Sequence, residues 1–144
     1  MTTDRLIHLL VGIIFLFVFL KVSNITVTAR ILLIGGFSTA LGTWVSDWDL
    51  ILGIGYHRSP LTHSILPALI LGWLAYRVKL DALLMIGFCL GLSSHLFWDT
   101  IDYGNVQWIT GGDSDRLFLS INCIILLVFA FVLKSKYLKS NSRY

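Results

Sequence analysis

The chain has 144 residues, 56% of them hydrophobic and only 13% charged, with a formal net charge of +3 and a mean hydropathy of +0.82. A soluble domain keeps roughly a quarter of its residues charged, so this composition excludes an ordinary water-soluble globule and points to one all-α domain immersed in lipid. The excess of positive charge gathers in the C-terminal tail, where it suits anionic headgroups, and no basic stripe interleaved with aromatics offers a nucleic-acid surface.

The apolar residues fall in five blocks, predicting a polytopic integral membrane helical bundle with five transmembrane helices at residues 6–20, 31–45, 61–76, 83–98 and 117–133. Each is shorter than the roughly 20 residues of an idealised span. Flanking side chains complete them at the headgroups, and Trp44, Trp48, Trp98 and Trp108 stand near span ends as an aromatic belt would. None carries the charged outer stripe of a soluble bundle helix. The first block runs into Lys21, Val22, Ser23 and Asn24 without a small-residue cleavage pattern, so it reads as a helix and not as a secretory leader.

After the second block comes Ser46-Asp47-Trp48-Asp49. Its carboxylates would diverge on a helix, so an extended or turning segment that lets both reach one cation pair is expected. The third block is introduced by Tyr56-His57-Arg58-Ser59-Pro60-Leu61-Thr62-His63-Ser64. Ser59 suits a helix N-cap and Pro60 a first turn, placing His57 in the incoming loop and His63 in the opening turn. The fourth block ends in Ser94-His95-Leu96-Phe97-Trp98-Asp99, where residues four apart share one helix face and aim His95 and Asp99 at one point. The stretch Gly111-Gly112-Asp113-Ser114-Asp115 reads as a turn, with Asp115 near the N-terminus of the fifth helix. Gly35-Gly36 and Gly53-x-Gly55 suit close packing or turns. Cys89 and Cys123 lie inside spans as small apolar groups, with neither a disulfide framework nor a zinc knuckle implied.

With five spans, eight of the Lys and Arg residues fall on one side and only Arg5, Arg58 and Arg116 on the other. The positive-inside rule then puts the C-terminus in the cytoplasm and the N-terminus on the extracytoplasmic side of a bacterial-type inner (plasma) membrane. All four histidines and every aspartate except Asp81 share the poorly basic side. Ionisable groups in spans cost about 2.5–3.5 kcal/mol each near the bilayer centre and mark function by default. Asp47, Asp49 and Asp99 would repel one another if brought together, and Arg58 alone cannot balance them. Neutral imidazole with carboxylate is the ligand mix of divalent zinc, manganese or iron, zinc foremost. A hydrolytic metal centre is therefore expected, with Thr62, Ser64 and Ser94 holding the ligands in position. Arg58 is expected to stabilise an oxyanion or hold a phosphate, and Asp49 to share in catalysis. An amphiphilic substrate, such as a phospholipid or isoprenoid phosphate, would reach such a site sideways from the lipid bilayer. The alternatives are a non-catalytic metal-binding or transport protein, which as a transporter would carry ligands near mid-span, and a small interaction protein without metal.

The order Asp-x-Asp, His-Arg, Thr-His-Ser and Ser-His-x-x-x-Asp resembles the membrane-bound metal-dependent hydrolase family, the YdjM-like proteins. The likeness runs from His8 to about Leu119 and is sharpest over His57 to Ser64 and Ser94 to Asp99. The family's early His matches His8 and its later Gly matches Gly104, while Ser46 stands where the family has Pro and Leu50 where it has His. The family is distantly similar to the zinc-dependent phospholipase C and P1 nuclease group. The resemblance implies a multi-metal, phosphoesterase-like site on Asp47, Asp49, His57, His63, His95 and Asp99, joined by His8.

Overall fold

A computed structural model describes residues 3–53, 57–102, 106–107 and 113–141. It is all-helical, with no strand among the described residues. Five α-helices follow one another: α1 (Thr3–Val22), α2 (Gly36–Val45), α3 (Leu66–Val78), α4 (Ala82–Asp102) and α5 (Asp113–Asn141). A π-helical turn, Ile31–Gly35, leads into α2, and a 3-10 segment, Ser46–Leu52, continues from it. Three helices, α1, α4 and α5, are long and apolar enough to cross a membrane; α2 and α3 are shorter.

Helix α4 is the axle, packed against α1, α2, α3 and α5. It is buried without a break from Leu83 almost to its end, apart from Leu84 and the Phe97–Trp98 step. By contrast, α1 exposes Leu10, Ile14 and Val18, and α5 exposes Leu117, Ile124 and Val128. In water such contiguous apolar faces would drive association, whereas hydrocarbon solvates them and leaves backbone hydrogen bonding to the helices themselves. The hydroxyls of α2 follow the same logic: Thr39 donates to the Gly35 carbonyl at 2.7 Å and Thr43 to that of Ala40 at 2.7 Å.

Small residues bring α2 and α4 into backbone contact. A Cβ on Gly91 would fall onto the Thr39 carbonyl, and one on Gly42 would meet the Phe88 carbonyl oxygen. In lipid, where apolar burial between helices gains little, such close approach is a main source of association. It also fixes the segment after α2 against the C-terminal half of α4, which matters for the site.

Two local expectations are corrected. The third helix begins at Leu66, not Leu61, and Pro67 rather than Pro60 occupies its first turn. A helix from Pro60 is interrupted because the N–H of Ile65, which would bond the Leu61 carbonyl, is taken by Asn122 Oδ1 on α5 at 2.9 Å, while the Ser59 N–H ties the loop to Asp49 Oδ2 at 2.9 Å. Long-range bonds thus hold residues 57–65 as turns, with His63 in the loop. The Asp47-x-Asp49 pair, expected in an extended or turning segment, sits in the 3-10 segment, whose three residues per turn send the two carboxylates to different partners. Trp44 and Trp48 are exposed at this end and Trp98 is half-buried, and Cys89 and Cys123 are buried free thiols. Trp108, Gly104, Gly55, Tyr56, Gly111 and Gly112 lie outside the described residues.

Candidate metal centre

Four stretches of chain meet at one end of the bundle. Helix α1 supplies His8, the 3-10 segment Asp47 and Asp49, the loop before α3 His57, Arg58, Thr62 and His63, and the last turns of α4 His95 and Asp99. His8, Asp49, His63, His95 and Asp99 are buried to at least 96%; Asp47 and His57 lie at the rim.

The centre of the arrangement is Asp99 Oδ2. His63 Nε2 lies 3.3 Å from it and His95 Nε2 3.4 Å. His95 Nε2 is also 3.8 Å from Asp47 Oδ1, and Asp47 in turn stands 3.9 Å from Arg5 Nε. The His8 ring stacks on His95 with centroids 3.9 Å apart and planes 12° from parallel, its Nε2 lying 3.7 Å from Asp99 Oδ1 and 3.6 Å from Asp4 Oδ1.

Asp49 forms a second pole. Its Oδ2 accepts from the Ser59 N–H and from the Thr62 hydroxyl at 2.6 Å, and lies 3.5 Å from His63 Nδ1. Its Oδ1 is 3.3 Å from His57 Nδ1. The charge of buried Asp49 is thus met by the Ser59 N–H, the Thr62 hydroxyl and the neighbouring imidazoles. The Thr62 hydroxyl spends its one proton on Asp49, so the Nδ1 of a neutral His63, 3.0 Å from that hydroxyl, carries the ring proton. Its Nε2 lone pair then faces Asp99 Oδ2.

In that neutral tautomer two acceptors 3.3 Å apart in a buried layer repel unless a positive charge, a metal ion or a second ring proton, lies between them. His63 Nε2 and Asp99 Oδ2 indeed have no hydrogen-bond partner, and neither have His8 Nδ1 and His95 Nδ1. Three overlapping triads bring one donor atom of each member within 4.8 Å of the others: His8, His95 and Asp99; Asp47, His63 and His95; Asp49, His57 and His63. These groups could hold a metal ion.

All seven side chains expected as ligands therefore gather at this end. Of the three expected supporting hydroxyls, only Thr62 reaches the cluster, lying 3.0 Å from His63 Nδ1. Ser64 instead accepts from the Leu66 N–H at 3.2 Å and helps start α3, and Ser94 donates to its own helix at the Gly91 carbonyl. Arg58 takes a left-handed backbone conformation, φ +62°, and its carbonyl accepts from the Gln107 N–H at 3.0 Å. Its guanidinium is close enough for its charge to act on Asp4 and His8.

Sequence reasoning passed over Asp4 as a neighbour of the cluster, and for Asp115 it gave the place at the start of α5 but not the partner. Asp4 stands four residues before His8, the same spacing that singled out His95 and Asp99, and that signal was available. Asp115 is buried in the first turn of α5 and accepts from the Val106 N–H at 2.8 Å, a bond across a loop that no local pattern encodes. No protein-family model, curated protein or solved structure matches the chain.

Proposed function

We propose that the chain is a membrane-embedded, metal-dependent hydrolase that cleaves a phosphoester or other ester of an amphiphilic substrate, the activity that its likeness to the YdjM-like proteins implies. The supporting observation is the convergence of His63 Nε2 and His95 Nε2 on Asp99 Oδ2 at 3.3 and 3.4 Å. Each of these two contacts matches one edge, about 3.3–3.4 Å, of a tetrahedron with arms of about 2.0–2.1 Å, a donor spacing that zinc accepts; manganese and iron take the same donor types. When bound, such an ion lowers the pKa of water towards about 7 and polarises the scissile group.

The chain's own residues divide the remaining work. Asp49, whose oxygens are already engaged in the loop, positions His63 and fixes its tautomer, a role it fills better than that of a catalytic group. Asp47 lines a pocket of about 400 Å³ together with Arg5, Trp44 and Trp48, so it can accept a proton from water on the substrate side. Arg5 and Arg58 supply positive charge for a phosphate. The donors sit at one end of the bundle, not near mid-span as transport favours.

We read all five helices as spans, with α2 extended by the helical course from Ile31 to Leu52 and α3 by its flanking loop. The Lys and Arg asymmetry orients the C-terminus to the cytoplasm of a plasma (inner) membrane and the cluster to the other side. A non-catalytic metal site is the second reading, favoured by a surplus of donors able to close a coordination sphere.

The test is metal analysis of purified protein beside His95→Ala and Asp99→Ala variants. Both variants are expected to lose bound metal, and unchanged content in both refutes the assignment. Chelator-sensitive hydrolysis of a fluorescent phospholipid or of bis-p-nitrophenyl phosphate then separates the two readings, since metal retention without turnover of any ester supports the non-catalytic one.

A further inference from the structure

Helices α2 and α3 both pack on α4 but barely touch each other. Between them runs an apolar groove of about 540 Å³, with Val45 and Trp48 on one wall, Ile70 and Leu74 on the other, Phe88 of α4 as its floor and Thr62 at one end. Ile70 and Leu74 are exposed, so the groove opens sideways.

Three features fix what fits there. Its end is joined to the cluster, because Thr62 donates to Asp49 at 2.6 Å and lies 3.0 Å from His63. Its length is that of one leaflet: Leu66 to Leu74 covers roughly 12 Å at 1.5 Å per residue, against about 15 Å for half of the hydrocarbon core. Its volume lies within the roughly 300–1,000 Å³ of pockets that enclose a single ligand of modest size. On the far side of Trp48, which lines both cavities, the pocket with Arg5 and Asp47 provides the polar end.

We propose that the groove binds one hydrocarbon chain of a lipid phosphate, lying along α3 in the leaflet that contains the histidine and aspartate cluster, with the phosphate at the cluster beside Arg5. The identity of the polar end rests on the hydrolase reading; occupation of the groove by a chain does not require turnover. Trp48 separates the chain from the headgroup, and the substrate is a membrane lipid taken from the bilayer without leaving it.

The experiment uses full-length, zinc-loaded protein in phosphatidylcholine nanodiscs with hexadecyl phosphate carrying a diazirine at mid-chain. Photolabelling is expected to saturate and to map to Val45, Ile70 and Leu74. Unlabelled hexadecyl phosphate should reduce it about tenfold, with hexadecanol and inorganic phosphate much weaker competitors. Ile70→Trp, a change on an exposed wall, should block labelling while leaving zinc content intact. Label spread over the lipid faces of α1 and α5, at Ile14 and Ile124, without saturation overturns the proposal, as does equal competition by hexadecanol. Saturable groove labelling without any chelator-sensitive hydrolysis supports the proposal and counts against the hydrolase reading alone.

Discussion

Replacing Asp99 by Asn separates a metal ligand from a merely buried carboxylate. The amide keeps the shape of the side chain and can donate to His63 Nε2, now facing Asp99 Oδ2 at 3.3 Å. In the metal-free protein Asp99→Asn therefore removes a buried charge and supplies a missing donor, so stability should be unchanged or higher. With metal the sign reverses. Structural zinc sites bind with about 10–16 kcal/mol; a quarter of that, for one of four ligands, is about 2.5–4 kcal/mol, or a Kd weakened about 10²–10³-fold. At zinc buffered to about 100 times the wild-type Kd, the wild type gains about 2.7 kcal/mol, while a variant weakened 100-fold retains about 0.4 kcal/mol. Thermal unfolding in detergent, with EDTA and with buffered zinc, measures both quantities. The same zinc-induced shift in both proteins would refute the reasoning, and so would a loss of stability in EDTA as large as that in zinc.

Other consequences follow from the packing and the loop. Gly91→Val places atoms on the Thr39 carbonyl and should cost about 1–3 kcal/mol or more, whereas Gly36→Ala, with nothing within 4 Å of its new Cβ, should be neutral or stabilise by about 0.5–1 kcal/mol; equal effects on thermal stability would contradict the α2–α4 contact. Asp49 accepts from the Ser59 N–H at 2.9 Å and from the Thr62 hydroxyl at 2.6 Å, and so holds the loop before α3 in place. Asp49→Ala leaves those two donors without their acceptor and should cost about 1–3 kcal/mol; unchanged stability in chemical denaturation would sink that role. Metal occupancy should decline as pH drops through the histidine range, because protonated imidazole cannot ligate, and equilibrium dialysis at stepped pH would expose the opposite trend.

The helices were readable from apolar blocks because lipid rewards unbroken hydrophobicity, and α1, α4 and α5 extend past those blocks only by continuing into polar flanks. What the blocks do not reveal is which helix is central. Helix α4 is the least apolar of the three long ones yet the most buried, since its serines, histidine and aspartate must turn inward. The His95 and Asp99 pairing was local and therefore visible. The course of residues 57–65 was not, because Asn122, distant in sequence, takes the Ile65 N–H that a helix starting at Pro60 would need, and Asp49 anchors the loop through the Ser59 N–H. For the same reason the split between Asp47, facing His95, and Asp49, facing His57 and His63, could not be read from a two-residue spacing.

Zinc K-edge X-ray absorption on the purified, zinc-loaded protein examines the proposed centre directly. Nitrogen and oxygen scatterers at about 2.0–2.1 Å without a sulfur shell at about 2.3 Å, with outer-shell features of at least two imidazoles that are lost in a His63→Ala, His95→Ala double variant, are the predicted result. A fully hydrated ion without imidazole scattering, or a spectrum unaltered in the double variant, would contradict it.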